Sequence, residues 1–216
     1  MKKGLFAILI FIAAFVLFLL TYDLRSEQKQ QYEIYDLTPE EYALLKDGDF
    51  ILRHGYGLVS DAIANSMNEE NHVSHVAVLV KSDTAKNGFR IIHCVSQSLS
   101  PWDGVQEQTF PRFLHDSQKN SIMVVRFKGA NDSTRHKISE KALYYLDKRV
   151  EFDHAFNIDD SSTFYCSELP YMIIKNEFGV DIFKDKMNEQ NDHMKFSNFW
   201  NHLYFEVIIN HLSLIH

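Results

Sequence analysis

The sequence predicts an α+β domain carried behind one apolar N-terminal segment. Strand-like runs rich in β-branched residues intermix with amphipathic stretches instead of alternating with them regularly. Two of those runs are joined by a short polar loop, which makes them antiparallel neighbours. The chain has 216 residues, 45% of them hydrophobic, with 8 Gly and 4 Pro, the profile of one packed domain and not of a disordered or collagen-like chain. Its 2 Cys cannot form a disulfide framework, so the fold rests on its own core. Net charge is -7, and Lys2, Lys3 and Arg25 against Asp23 leave the first 25 residues positive and the body acidic. An acidic body excludes nucleic acid as a partner, because phosphate neutralisation needs clustered Lys and Arg.

Gly4 to Tyr22 is an uncharged run of nineteen residues, and roughly 18 suffice for a helix to cross a bilayer. The segment Phe18-Leu19-Leu20-Thr21-Tyr22 lacks the small-x-small pattern of a cleavage site, and the apolar run exceeds the usual signal core. Residues 1–24 therefore read as an uncleaved signal anchor, with membrane contact through residues 4–22. Lys2 and Lys3 keep the start in the cytoplasm and put the body outside, in the periplasm or at the cell surface. Residues 25–36, opening with RSEQKQQ, read as a tether, and 37–216 as the globular domain.

Within the domain, Thr38-Pro39-Glu40-Glu41 predicts a capped helix over 39–46. A turn at Lys46-Asp47-Gly48-Asp49 leads into a strand from Phe50. After Gly55-Tyr56-Gly57, the spacing of Val59, Ile63 and Met67 predicts a helix. Val73–Val80 and Phe89–Val95 read as the two strands of a hairpin, with Ser82–Gly88 as its loop. Ser121–Phe127 reads as another strand. Ser133 can cap a helix running to Arg149, with Ile138, Ala142, Tyr145 and Leu146 inward. Ser162–Gly179 holds a further helix closed by Gly179. Phe196–Trp200 and Tyr204–Ile209 finish the chain as loop and strand; their aromatics read as core before acyl pocket.

Cys166 falls where the irregular stretch Asp159–Ser162 gives way to a helix, and N–H groups at a helix start favour a thiolate. Cys94, inside a strand, reads as packing. Histidine 75 begins a strand, and hairpin arithmetic centred near residue 85 pairs it with residue 95 or, one step tighter, with His93. A nucleophile, base and orienter then follow as Cys166, His75 and His93. The competing use is zinc held by His72, His75, His93 and Cys166, but the sequence has no CxxC pair or HExxH motif. No phosphate loop follows Gly48, Gly55 or Gly57, and Ser60, Ser74 and Ser167 lack a GxSxG elbow. Asp159-Asp160 reads as a cap or solvated pair.

These pieces occur in a recognisable order: Leu45-x-x-Gly48-Asp49-x-Ile51-Leu52, Ser74-His75-Val76-Ala77, Ile91-Ile92-His93, Phe152-Asp153-x-x-Phe156 and Tyr165-Cys166-Ser167-Glu168-Leu169. The arrangement resembles the circularly permuted papain-like amidases of the NlpC superfamily, in the YiiX/YebB-like branch, where histidine precedes cysteine. The resemblance implies a permuted papain-like fold with an antiparallel sheet packed against helices. It also implies a cysteine amidase or peptidase in which Cys166 attacks a carbonyl, His75 moves the proton and His93 orients His75. The Cys166 backbone N–H, with Tyr165, Ser167 and Tyr56, is expected at the oxyanion or substrate, and no cofactor or metal is implied. The third residue is often Glu in this branch; a histidine there is similar to the lecithin:retinol acyltransferase relatives and opens an acyltransferase or lipase alternative. A non-catalytic membrane-anchored binding module is the remaining alternative. The expected substrates are cell-wall peptides or lipid-linked amides and esters.

Overall fold

The computed structural model describes residues 2–85, 87–183 and 194–212. Six strands form one sheet: β1 (Phe50–Arg53), β2 (His75–Lys81), β3 (Phe89–Val95), β4 (Gly104–Thr109), β5 (Met123–Phe127) and β6 (Phe205–Asn210). Their order is β4-β3-β2-β1-β5-β6, with every neighbouring pair antiparallel. The helices are α1 (Lys2–Tyr32), α2 (Pro39–Leu44), α3 (Leu58–Met67), α4 (Phe110–His115), α5 (His136–Asp147) and α6 (Glu168–Phe178), with a 3-10 turn at Phe196–Trp200. This is the mixed helix and antiparallel-sheet architecture that the sequence predicts.

Strand alternation divides the core between the two sheet faces. Val76, Val78, Val80, Ile92 and Cys94 face α5 and α6, packing with Ile138, Ala142, Leu169 and Ile173. Ala77, Leu79 and Ile91 point the other way, onto Phe110, Phe113 and Leu114 of α4. The Gly48-Asp49 turn feeds β1: the Gly48 N–H donates to the Leu79 carbonyl, and the fully buried Asp49 carboxylate takes two 2.7 Å bonds from Arg126.

Several elements differ from expectation. The tether sequence is helical to Tyr32, because Ser, Glu, Gln and Lys side chains extend a helix readily once it has been nucleated. The edge strand β4 and the short α4 were not anticipated; GVQEQT has no apolar alternation because half of it faces solvent. Thr38 caps α2 through a reciprocal box with Glu41, but that helix stops at Leu44. Helix α5 starts at His136 without a side-chain cap, so Ser133 does not cap it; in the turn leading to it the Asn131 side chain accepts from the Thr134 N–H at 2.9 Å. On α3, Ile63 and Met67 pack inward as expected, whereas Val59 is exposed. Phe199 and Phe205 are core against Phe50.

Helix α1 is long and apolar enough to cross a membrane, and its apolar window is wholly unburied by the rest of the protein. From Tyr22 onward it touches the domain, chiefly along α3.

Candidate active site

The site lies where β1 ends and β2 begins. In the β1–β2 register Arg53 faces His75, and opposed residues point to the same side of a sheet. The β2–β3 ladder runs from Val78↔Ile92 to Lys81↔Phe89, and this register, extended three positions, corresponds to the wider of the two expected pairings, 75 with 95. His93 is therefore the diagonal neighbour of His75, within reach of a ring. His75 Nε2 and His93 Nδ1 are 2.9 Å apart, with the rings edge-to-face.

Phe113 of α4 packs against both imidazoles, with centroids at 6.1 and 6.2 Å. The Arg53 guanidinium lies 4.4 Å above the same ring, and its Nη1 donates to the Phe113 carbonyl at 3.1 Å. Neither neighbour was identified from sequence. Arg53 was legible as the residue opposite His75 once a strand is extended by one position, but Phe113 sits in the unforeseen α4 and left no such signal.

Cys166 comes from the other layer, packing against the α5–α6 side of the core. Helix α6 begins two residues later, at Glu168, so the thiol precedes the first turn. Its approach is fixed by the preceding loop. Asp153 accepts from the Ala155 and Asn157 N–H groups at 2.8 and 2.5 Å, which folds the Phe152–Phe156 turn and leaves Phe156 at φ +53. Phe156 then rests on Tyr165 at 5.6 Å. Cys94, beside His93 on β3, donates its thiol to the Phe164 carbonyl at 2.8 Å. Cys94 is core, as expected, and it also ties the histidine strand to the cysteine loop.

Burial pushes the Cys166 thiol up to about 12, against the pull of the backbone N–H groups of Ser167, Val76 and Cys166 itself. The expectation of a net helix-start stabilisation of the thiolate is thus reversed, because burial outweighs the three donors. The Val76 N–H that faces the sulfur is one peptide bond from His75. Burial, followed by the charges of His93 and Arg53, holds His75 well below the ordinary imidazole value. His93, only 4% exposed, is held down to about 3 by burial and then by Arg53. In the resting site these groups are a thiol and two neutral imidazoles.

A cavity of about 920 Å³ is lined by His75, His93 and Cys166, and also by Tyr56, Tyr165 and Ser167. The six residues singled out from sequence therefore share one cavity. Tyr165 and Ser167 are buried, and the Tyr56 hydroxyl donates to Glu33 at 2.8 Å. Phe196 also reaches the cavity wall. Among the described residues no group of three His, Cys, Asp or Glu side chains is arranged to hold a metal ion, and His72 is exposed.

A family model described as "Permuted papain-like amidase enzyme, YaeF/YiiX, C92 family" matches residues 44–207. No curated protein matches the chain. Among solved structures, the crystal structure of metalloprotein yiiX from Escherichia coli O157:H7 aligns with a TM-score of 0.57 at 15% identity, covering 76% of this chain and 97% of that one. That likeness is one of fold.

Proposed function

The chain belongs to the permuted papain-like amidase family, and on that premise we propose that it is a thiol amidase using Cys166, His75 and His93. The observation that carries the proposal is the 2.9 Å His75–His93 contact in the cavity that Cys166 also lines, its sulfur facing the Val76 N–H.

In this reading His75 donates from Nε2 to His93 Nδ1, which leaves His75 Nδ1 as the base for the thiol. As sulfur bonds to the carbonyl carbon, the thiol proton passes to Nδ1 and the carbonyl oxygen becomes an oxyanion. The backbone N–H groups of Cys166 and Ser167, two of the three that face the sulfur, are the donors this reading assigns to it, a type worth about 3–4 kcal/mol of barrier. Collapse breaks the C–N bond as Nδ1 returns the proton to the leaving amine. Water, activated by the same imidazole, then hydrolyses the thioester. Arg53 disfavours a charged imidazole, so His75 stays a base in the resting state.

The membrane reading joins this one. The uncharged Gly4–Tyr22 run, whose apolar window is unburied by the domain, would hold the enzyme at the outer face of the membrane, with Lys2 and Lys3 inside.

The test is Cys166→Ser, assayed with an acyl amide substrate and a thiol-directed activity probe. Amide hydrolysis should fall roughly 10³-fold or more, with loss of labelling at this position. Undiminished hydrolysis in the variant would remove Cys166 from the chemistry.

A further inference from the structure

The last part of α1 is built into the wall of the catalytic cavity. The Tyr22 hydroxyl donates to the Asp61 carboxylate. Ser26 Oγ accepts from the Gly57 N–H at 2.7 Å, Gln30 Nε2 donates to Asp116 at 2.8 Å, and Glu33 accepts from the Tyr56 hydroxyl at 2.8 Å. Positions 22, 26 and 30 recur at helical spacing, so one face of α1 makes the first three contacts, and Glu33, one residue past its end, makes the fourth. Gln30 lines the cavity itself.

This ladder begins where the uncharged run ends. Nineteen helical residues span about 28 Å, close to the roughly 30 Å hydrocarbon core. With that run in the bilayer, Tyr22 lies at the surface and holds the first turn of α3, through Asp61, at the same depth. Gln30, eight residues further on, is about 12 Å higher. Helix α3 supplies Val59, Ile63 and Met67 to the cavity, and Val59 is 43% exposed. An apolar wall of the cavity thus starts beside the headgroups. Phe152 and Phe196 add to the apolar lining, and Arg53, Gln108, Arg112 and Asp116 to the polar lining, where Asp116 accepts from Gln108 at 2.8 Å and from Arg112 at 3.1 Å. Its volume is near the top of the range of about 300–1,000 Å³ for small-molecule sites.

We infer that the substrate is an amphiphile resident in the anchoring bilayer, an N-acyl amide whose acyl chain enters along α3 and whose polar end meets the Arg53–Asp116 side. This rests on the thiol amidase reading for its reaction. The docked part of α1 fixes the distance between the cavity and the lipid, so it is a positioning element and not a tether.

Two measurements on the full chain in phosphatidylcholine vesicles test this. The first is independent of catalysis. Val59→Trp should add emission that lipid brominated near the headgroup end of its chains quenches by about half, as expected for a side chain at the membrane interface. An unquenched signal overturns the inference. The second compares a palmitoyl anilide in vesicles with a butyryl anilide in solution. A flexible Gly-Ser insertion of about 12 residues between Thr21 and Tyr22 frees the domain by roughly 20 Å. It should cut palmitoyl turnover at least about tenfold and leave butyryl turnover unchanged. Equal effects on both substrates, or palmitoyl turnover indifferent to the insertion, overturn the inference and leave the thiol chemistry standing. If neither anilide is cleaved and the thiol probe fails to label Cys166, the amidase reading fails, and the Val59 signal alone decides whether the cavity faces lipid.

Discussion

Burial pushes the Cys166 thiol up to about 12 and the paired imidazoles down, so a thiolate–imidazolium pair is disfavoured before substrate arrives. In the proposed thiol mechanism the proton then moves as the sulfur attacks. A preformed ion pair would alkylate at a rate already level near neutral pH, as thiolates with depressed pKa values do. Here the iodoacetamide labelling rate of Cys166, followed by peptide mass spectrometry, should climb by up to about tenfold per pH unit from pH 7 through 9. A plateau below pH 7 would show the ion pair and refute this account. The residues themselves were largely legible. Loop length limited the partner of His75 to two registers, and a place at a helix start instead of inside a strand distinguished Cys166 from Cys94. Their electrostatics were not, because a pKa depends on how deeply a group is enclosed, and that follows from Phe113, Arg53 and the α6 layer together. A reading from the helix start alone gets the sign of the cysteine shift wrong.

Among the elements, those with strong apolar periodicity were legible, and those stabilised by the rest of the fold were not. The β2–β3 hairpin declares itself through two apolar runs around a polar loop. Strand β4 is polar along its exposed half and is defined only by pairing with β3, His93↔Gln106 among its partners. The polar third of α1 carries tether composition and becomes an ordered wall through contacts with residues far along the chain. The start of β4 shows how tightly such an element is held. Gly104 has φ +91, and a Cβ there would meet the Val150 carbonyl oxygen at 2.2 Å. That same oxygen accepts from the Val105 N–H at 2.8 Å, tying the sheet edge to the segment that leads into the Phe152–Phe156 turn. Gly104→Ala therefore adds both a backbone clash and an unfavourable φ, and should destabilise the domain by about 1–3 kcal/mol. Chemical denaturation checks this. Because the turn supports the cysteine loop, amidase activity should fall in parallel. A variant as stable as the parent would show that the edge has room to shift.

At the scale of the whole molecule, the buried groups around the site give stability a pH profile that the surface charges do not set. His75 and His93 are held below their ordinary value of 6.5, so as pH falls below 6.5 the unfolded chain takes up protons that the folded one refuses. Their contribution is complete above 6.5 and declines on the acid side. Glu168 behaves in the opposite way. It is fully buried, one carboxyl oxygen accepts from the Tyr165 N–H at 3.2 Å, and the other has no partner. Burial, then the charges of Asp153 and Asp160, raises it from 4.5 to about 8. The folded protein keeps this proton where the unfolded chain has released it, so its contribution is present below 4.5 and declines as pH rises toward 8. With two groups acting below 6.5 and one acting across the middle, the three together place maximum stability near pH 6.5. Each proton contributes a slope of at most about 1.4 kcal/mol per pH unit. Glu168→Gln keeps the acceptor for Tyr165 and removes the ionisation. Thermal unfolding of the variant in detergent should therefore lose the decline between pH 6.5 and 8 while retaining the acid limb of the histidines. If the decline persists in the variant, it arises from other groups, and Glu168 is ionised in the folded protein at neutral pH.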